Sequence, residues 1–346
     1  MRSLKGVILA QGGGADELAR TVSGACPHVL PLANRPLVHY AADAMRACGV
    51  RDVAVVVAPG THEEVRRAVR DGSPWDLRIS YVERREMTLG DVLAAARAAL
   101  GEGDLLVHRG DGLFAEPLDE LVGHVEAPVP DGLLLLERMR EPDSPARALR
   151  VVGSRRIPAA QPDLAPAFVL SGRALEEATQ VQPRTTADLA ASLGRRSVPL
   201  EVRTVSGAWS WNGDVDALLQ ANRMVLDALV PEVTDADLAG ARIEGRVSVH
   251  PTAVLDRTTV RGPAVIGAGA VLTDTFVGPY TAIGQDVRVE GTEIEHSIVL
   301  AGASIRNLGR RLEGSLVGRE ASVGRQFSLP AGLRLRVGRG SEISLD

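Results

Sequence analysis

Lysine is almost missing from this chain. Lys5 is the only lysine among 39 lysines and arginines, and arginine replaces lysine even on exposed helix faces, which reads as a GC-rich coding bias. Any step that needs a lysine ammonium away from Lys5 is thereby excluded. Aromatic side chains make up 3% of the sequence, so stacking platforms for bases or sugars are few. Two cysteines, Cys26 and Cys48, make neither a disulfide framework nor a zinc site. No stretch approaches the roughly 18 apolar residues of a membrane span. The first residues run into glycines without a small-residue cleavage site, so they do not read as a signal peptide. A net charge of −5 with the two signs interspersed gives no case for nucleic acid or membrane as partner. A cytoplasmic, reduced protein is the expectation.

What is present is ample for two domains in 346 residues. The first half alternates strand and helix patterns. Val7–Ala10, Val53–Ala58, Ile79–Val82, Leu105–Val107, Leu133–Leu136, Ala167–Leu170 and Val202–Val205 read as strands. Pro36–Cys48, Thr61–Arg70, Met87–Leu100, Arg173–Val181 and Asp214–Leu229 read as helices, with Thr61 as an N-cap. This alternation predicts a doubly wound, mostly parallel α/β sheet with its site beyond the carboxyl ends of the strands. Residues 138–167 have no firm period.

From about residue 243 the period changes. Ile243, Val249, Val254, Val260, Ile266, Leu272, Val277, Ile283, Val289, Ile294, Val299 and Ile305 recur every five or six positions. That is a hexapeptide repeat, in which each hexad supplies a short strand and a corner of a three-sided prism. The expected division is a first domain over 1–230, a linker over 231–242 and a β-helix over 243–346.

The stretch that organises the first domain is GVILAQGGGADELARTVSGACPHVLPLANRP, residues 6–36. A buried strand breaks into Gly12, Gly13 and Gly14, where backbone amides can turn toward an anion. It closes on the proline-bounded turn Leu30–Pro36. Together with Gly110-Asp111, the Ala221-Asn222-Arg223 helix and the hexad run Val265–Gly269, this resembles the sugar-1-phosphate nucleotidyltransferases, specifically the long glucose-1-phosphate thymidylyltransferase form. The resemblance implies a Rossmann-like nucleotidyltransferase domain followed by a left-handed parallel β-helix. It also implies attack of a sugar-1-phosphate on the α-phosphate of a nucleoside triphosphate, with release of pyrophosphate and Mg²⁺ held by aspartates.

Carried over position by position, the resemblance keeps the frame and loses the charges. Gly12, Gly13 and Gly14 match the nucleotide loop, although three glycines are also an ordinary strand-to-helix turn. The loop arginine falls on Glu17 and the clamp lysine on Pro27, with His28 beside it as a partial substitute. The base-reading glutamine falls on Glu83. Asp111 matches a metal ligand, although an aspartate after a strand also serves as a turn cap. The second metal aspartate falls on Trp211, within Trp209–Gly213, where two tryptophans also suit sheet packing. The Glu-Lys-Pro sugar-phosphate motif is absent around Arg155–Pro162, and the sugar-binding Gly-Glu falls near Thr185 or Thr186. His250 and His296 lie on the repeat, where some acyltransferases use a histidine; they read rather as solvated corners, with a β-helix acyltransferase as the remote alternative.

Two readings of function stay open. One is a non-catalytic paralogue retained for regulation or assembly in nucleotide-sugar metabolism, without a cofactor, as a homo-oligomer or a hetero-oligomer with an active paralogue. The other is an active nucleotidyltransferase with a remodelled site, using Mg²⁺ to make a nucleotide sugar or nucleotide cyclitol, in which Arg20 or Arg35 takes over phosphate contacts. In both, a nucleotide or nucleotide sugar is the expected small-molecule partner.

Overall fold

The computed structural model describes residues 4–11, 16–83, 88–115, 118–119, 132–138, 151–155, 164–205, 207–233, 238 and 240–325. Gly12, Gly13, Gly14, Glu86 and Pro162 lie outside them. The first part of the chain runs β1 (Leu4–Ala10), α1 (Asp16–Ser23), β2 (Pro31–Leu32), β3 (Arg35–Pro36), α2 (Leu37–Ala47), β4 (Asp52–Val57), α3 (His62–Val69), β5 (Arg78–Glu83) and α4 (Leu89–Leu100). It continues with β6 (Asp104–Arg109), β7 (Gly112–Phe114), β8 (Leu133–Arg138), β9 (Val151–Arg155), β10 (Leu164–Leu170), α5 (Gly172–Val181), α6 (Thr186–Arg195), β11 (Leu200–Val205), β12 (Ala208–Ser210) and α7 (Val215–Asp227).

Eight strands form one sheet in the order β5-β4-β1-β6-β10-β8-β11-β9. The first four are mutually parallel, but β10 runs antiparallel to both β6 and β8 and β9 antiparallel to β11. The sheet is therefore mixed, with a parallel half. Its centre is dry on both faces: Val7, Ile8, Val53, Val55, Leu105 and Leu106 are fully buried, which is why these strands read as unbroken aliphatic runs.

Local capping sets the helix starts. The Thr88 hydroxyl accepts the Asp91 N–H in a reciprocal capping box, so α4 begins at Leu89, two residues after the expected start. Thr185 and Asp188 form a second capping box at α6, a helix the hydrophobic period did not reveal. Thr61 precedes α3 without capping it; its hydroxyl donates to the Ala10 carbonyl at 3.1 Å and so ties the end of β1 instead.

The repeat region forms three parallel sheets of six, five and five strands, the arrangement of the hexapeptide-repeat β-helix. One sheet pairs Ser248 with Val265, Val265 with Ala282, Ala282 with Ile298 and Ile298 with Leu316. Successive coils are thus 16 to 18 residues apart, which explains a spacing of five or six rather than a strict six. The expected aliphatics point inward with one exception. Val254 is 36% exposed and Leu255, six residues after Val249 and in register with Leu272, is fully buried. The solenoid also starts earlier than expected, since Glu232–Val233 already pairs with the strand at Val247–Val249.

The chain divides into two compact units that are not contiguous in sequence. One comprises Met1–Gly13, Pro27–Val29 and Pro36–Trp211; the other comprises Gly14–Cys26, Leu30–Arg35 and Asn212–Asp346. In the second unit α1 and the β2–β3 hairpin fold with the β-helix. The hairpin turns through Ala33 and Asn34 at φ 45° and 63°. The Asn34 side chain donates to the Ile283 carbonyl at 2.7 Å, and the Arg319 N–H donates to the Val22 carbonyl of α1 at 2.7 Å. The division at 231–242 describes the order of the chain rather than these units.

Candidate functional site

The carboxyl edge of the parallel strands is built around the junction of β1 and β6, paired Leu9 to Arg109. At that junction the chain turns through Gly110, whose N–H donates to the Leu9 carbonyl at 2.7 Å. A Cβ there would stand 3.1 Å from the same oxygen and 3.2 Å from His28 Nδ1, so any larger residue would have to push these neighbours back by a few tenths of an ångström. His28, 2% exposed, lies on the short 3₁₀ turn Pro27–Val29, and its Nε2 is 2.7 Å from the Gln11 carbonyl. Its Nδ1 is buried without a hydrogen-bond partner among the described residues.

Asp111 follows at 8% exposure. Both of its carboxylate oxygens are taken by one guanidinium: Arg109 Nε and Nη2 each donate at 2.9 Å. This fork-on-fork geometry is the strong form of the ion pair. The shared hydrogen bond raises the Arg109 pKa further, so the guanidinium is charged at every physiological pH.

Trp211 is joined to Asp111 through the backbone. β7 and β12 pair antiparallel, with Gly112 opposite Ser210. One step further the Trp211 N–H donates to the Asp111 carbonyl at 2.9 Å. Residues opposed in such a ladder send their side chains to the same face. The Trp211 side chain is 3% exposed, and its ring centre is 6.5 Å from that of Trp209.

The other candidates have settings of their own. Glu83 ends the edge strand β5, three strands from β6, which at about 4.8 Å per strand is roughly 14 Å; its carboxylate pairs with His62 Nδ1. Glu17 is exposed on α1. Lys5, near the opposite end of β1, donates to the Leu100 carbonyl. The Thr185 hydroxyl is occupied by its helix cap. His250 is an exposed corner of the β-helix, and His296, half-buried at φ 47°, packs edge-on against Tyr280.

A divalent metal does not fit this edge. Among the described residues Asp111 is the candidate carboxylate beside the β1–β6 junction, and both its oxygens are engaged. Among the described residues no group of three or more histidine, cysteine, aspartate or glutamate side chains could hold a metal ion. Sequence reasoning passed over Arg109. The available signal was its place two residues before Asp111, across the turn at Gly110 that ends the strand.

Comparison with known proteins places this geometry in a lineage. The nucleotidyl transferase family model matches residues 5–146. A glucose-1-phosphate thymidylyltransferase of Streptomyces griseus is 33% identical over 99% of both chains. This chain belongs to the sugar-1-phosphate nucleotidyltransferase family. A second glucose-1-phosphate thymidylyltransferase, from Streptomyces antibioticus, is 29% identical over 99% of both chains. The low-salt glycan biosynthesis nucleotidyltransferase of Haloferax volcanii is 28% identical over 99% of this chain and all of its own length. A Bacillus anthracis structure described as a glucose-1-phosphate thymidylyltransferase with sucrose has TM-score 0.52 at 18% identity, covering 64% of this chain and 95% of that one. That last likeness concerns the fold alone. No helix among the described residues is long and apolar enough to cross a membrane.

Proposed function

We propose that this nucleotidyltransferase homologue is a non-catalytic member of its family, retained for regulation or assembly alongside nucleotide-sugar synthesis in the cytoplasm. The observation that carries the reading is the bidentate Arg109–Asp111 pair, which withdraws the candidate metal carboxylate from any other cation. Transferring a nucleotidyl group between two anions needs positive charge where the phosphates meet. Here the candidate loop arginine is Glu17, the candidate clamp lysine is Pro27 and the candidate second aspartate is Trp211.

Removing one preorganised charge-stabilising donor costs about 10²–10³ in rate. Three such losses are not additive, because the groups act as a unit, yet a deficit of about 10⁴ or more follows. The reverse reaction tests this: incorporation of labelled pyrophosphate into deoxythymidine triphosphate from deoxythymidine diphosphate-glucose, with release of glucose-1-phosphate, in the presence of Mg²⁺. No incorporation is expected. Incorporation that scales with enzyme and is lost on Asp111→Ala would establish the active, remodelled alternative, with Mg²⁺ and a sugar or cyclitol phosphate as its substrates.

A further inference from the structure

Arg109 occupies the last position of β6, and its side chain is 47% exposed. Its Nε–Nη2 edge faces Asp111; among the described residues Nη1 has no hydrogen-bond partner. The guanidinium therefore satisfies the carboxylate with one edge and keeps two N–H donors on the other. The aspartate it satisfies is the one the family resemblance assigns to Mg²⁺. A guanidinium cannot lose its charge under ordinary conditions and matches phosphate oxygens in the same planar geometry that it offers carboxylate. Trp211 stands at the position the resemblance gives to the second metal aspartate, so that position supplies no carboxylate to a competing cation.

We propose that Arg109 is a resident cation standing in for the divalent metal at Asp111, and that its free edge binds the phosphate of a nucleotide independently of divalent ions. The inference rests on the nucleotidyltransferase reading of this edge, but it concerns binding rather than turnover. The pair is locally neutral, so the ligand is held by directed N–H donors and not by bulk attraction. The site therefore selects a phosphate placed at the carboxyl end of β6 over a diffuse polyanion.

The test uses the full chain and deoxythymidine triphosphate as probe. The melting temperature is measured with and without the nucleotide, once in EDTA and once in Mg²⁺, because a ligand that binds only the folded state must raise it. Retention of Mn²⁺ is followed by the loss of its free electron paramagnetic resonance signal. The expected result is the same nucleotide shift in EDTA and in Mg²⁺, with no stoichiometric Mn²⁺ retained. Arg109→Leu combined with Asp111→Asn, which leaves no buried charge behind, should weaken the nucleotide at least tenfold. A shift that requires Mg²⁺, one Mn²⁺ retained per chain, no nucleotide shift at all, or an unaltered double variant would each overturn the proposal. The wild-type arms stand even if the variant does not fold. Turnover in EDTA would remove the non-catalytic reading and leave this one standing; binding that needs Mg²⁺ without turnover would do the reverse.

Discussion

The Trp211 amide donates to the Asp111 carbonyl at 2.9 Å, so the residue that carries this indole is tied by its backbone to the residue that carries the candidate metal carboxylate. At 3% exposure that indole is also a packing element. Trp211→Ala should cost about 3–5 kcal/mol of stability through the cavity it opens, measured as a lower urea midpoint with an unchanged slope. Trp211→Asp should not create Mn²⁺ retention by itself, because Arg109 still holds Asp111. It should do so only when combined with Arg109→Leu, read by the same resonance signal.

His108 gives the first unit an acid-sensitive point. The ring is fully buried on β6 and meets Phe114 edge to face, with centroids 5.6 Å apart. Burial pushes its pKa down from 6.5 to about 4, despite its Nδ1 bond to the Arg109 carbonyl. In the window between those values the unfolded chain binds the proton and the folded chain does not, so stability rises with pH across it. The stability this group contributes is complete above about pH 6.5 and falls away toward pH 4. A shift of this size corresponds to about 3 kcal/mol. Chemical denaturation at pH 7.5 and pH 4.5 should show that loss in the wild type and a smaller one in His108→Asn; equal losses would rule out His108 as the cause.

Asn222 is the buried clasp of the second unit. It is fully buried; its Oδ1 accepts the Ala33 N–H and its Nδ2 donates to the Tyr280 carbonyl, both at 3.0 Å. Asn222→Ala would strand one backbone donor and one acceptor, at about 1–3 kcal/mol each. Hydrogen exchange should speed up in the hairpin over 30–35 and near residue 280, and stay unchanged in β4 and β6. Uniform acceleration would mean that the loss is global.

The solenoid was legible in the sequence because each inward side chain repeats the same task at nearly the same interval. Val254 misled because its inward neighbour Leu255 is aliphatic too, so a spacing of five or of six after Val249 fits the pattern equally well. The central strands were legible for a related reason: burial on both faces writes itself as continuous aliphatic runs. Helix α1 was not, since only Ala19 and Ser23 of its described residues are buried and much of its anchoring comes from distant backbone at Gly318 and Arg319. Strands β7 and β12, at three residues each, are too short to display a period. At the site, Asp111 was visible through Gly110-Asp111, but the role of Arg109 depends on the direction of a side-chain fork that sequence spacing only permits.

Assembly is a separate expectation. A β-helix stacks its coils on parallel ladders, and its terminal coils present edges that another chain can cover. Light scattering of the purified chain, alone and mixed with an active family member from the same source, should find an oligomer. A monomer in both samples would remove assembly from the proposed role.

The central claim is that this edge has lost the charges that nucleotidyl transfer requires. The most direct measurement is pyrophosphate release from deoxythymidine triphosphate and glucose-1-phosphate with Mg²⁺, run beside Asp111→Ala. The expected rate does not differ between the two proteins or from the background without protein. Release at about 1 s⁻¹ or faster, an ordinary enzyme rate, abolished by Asp111→Ala, would contradict the account.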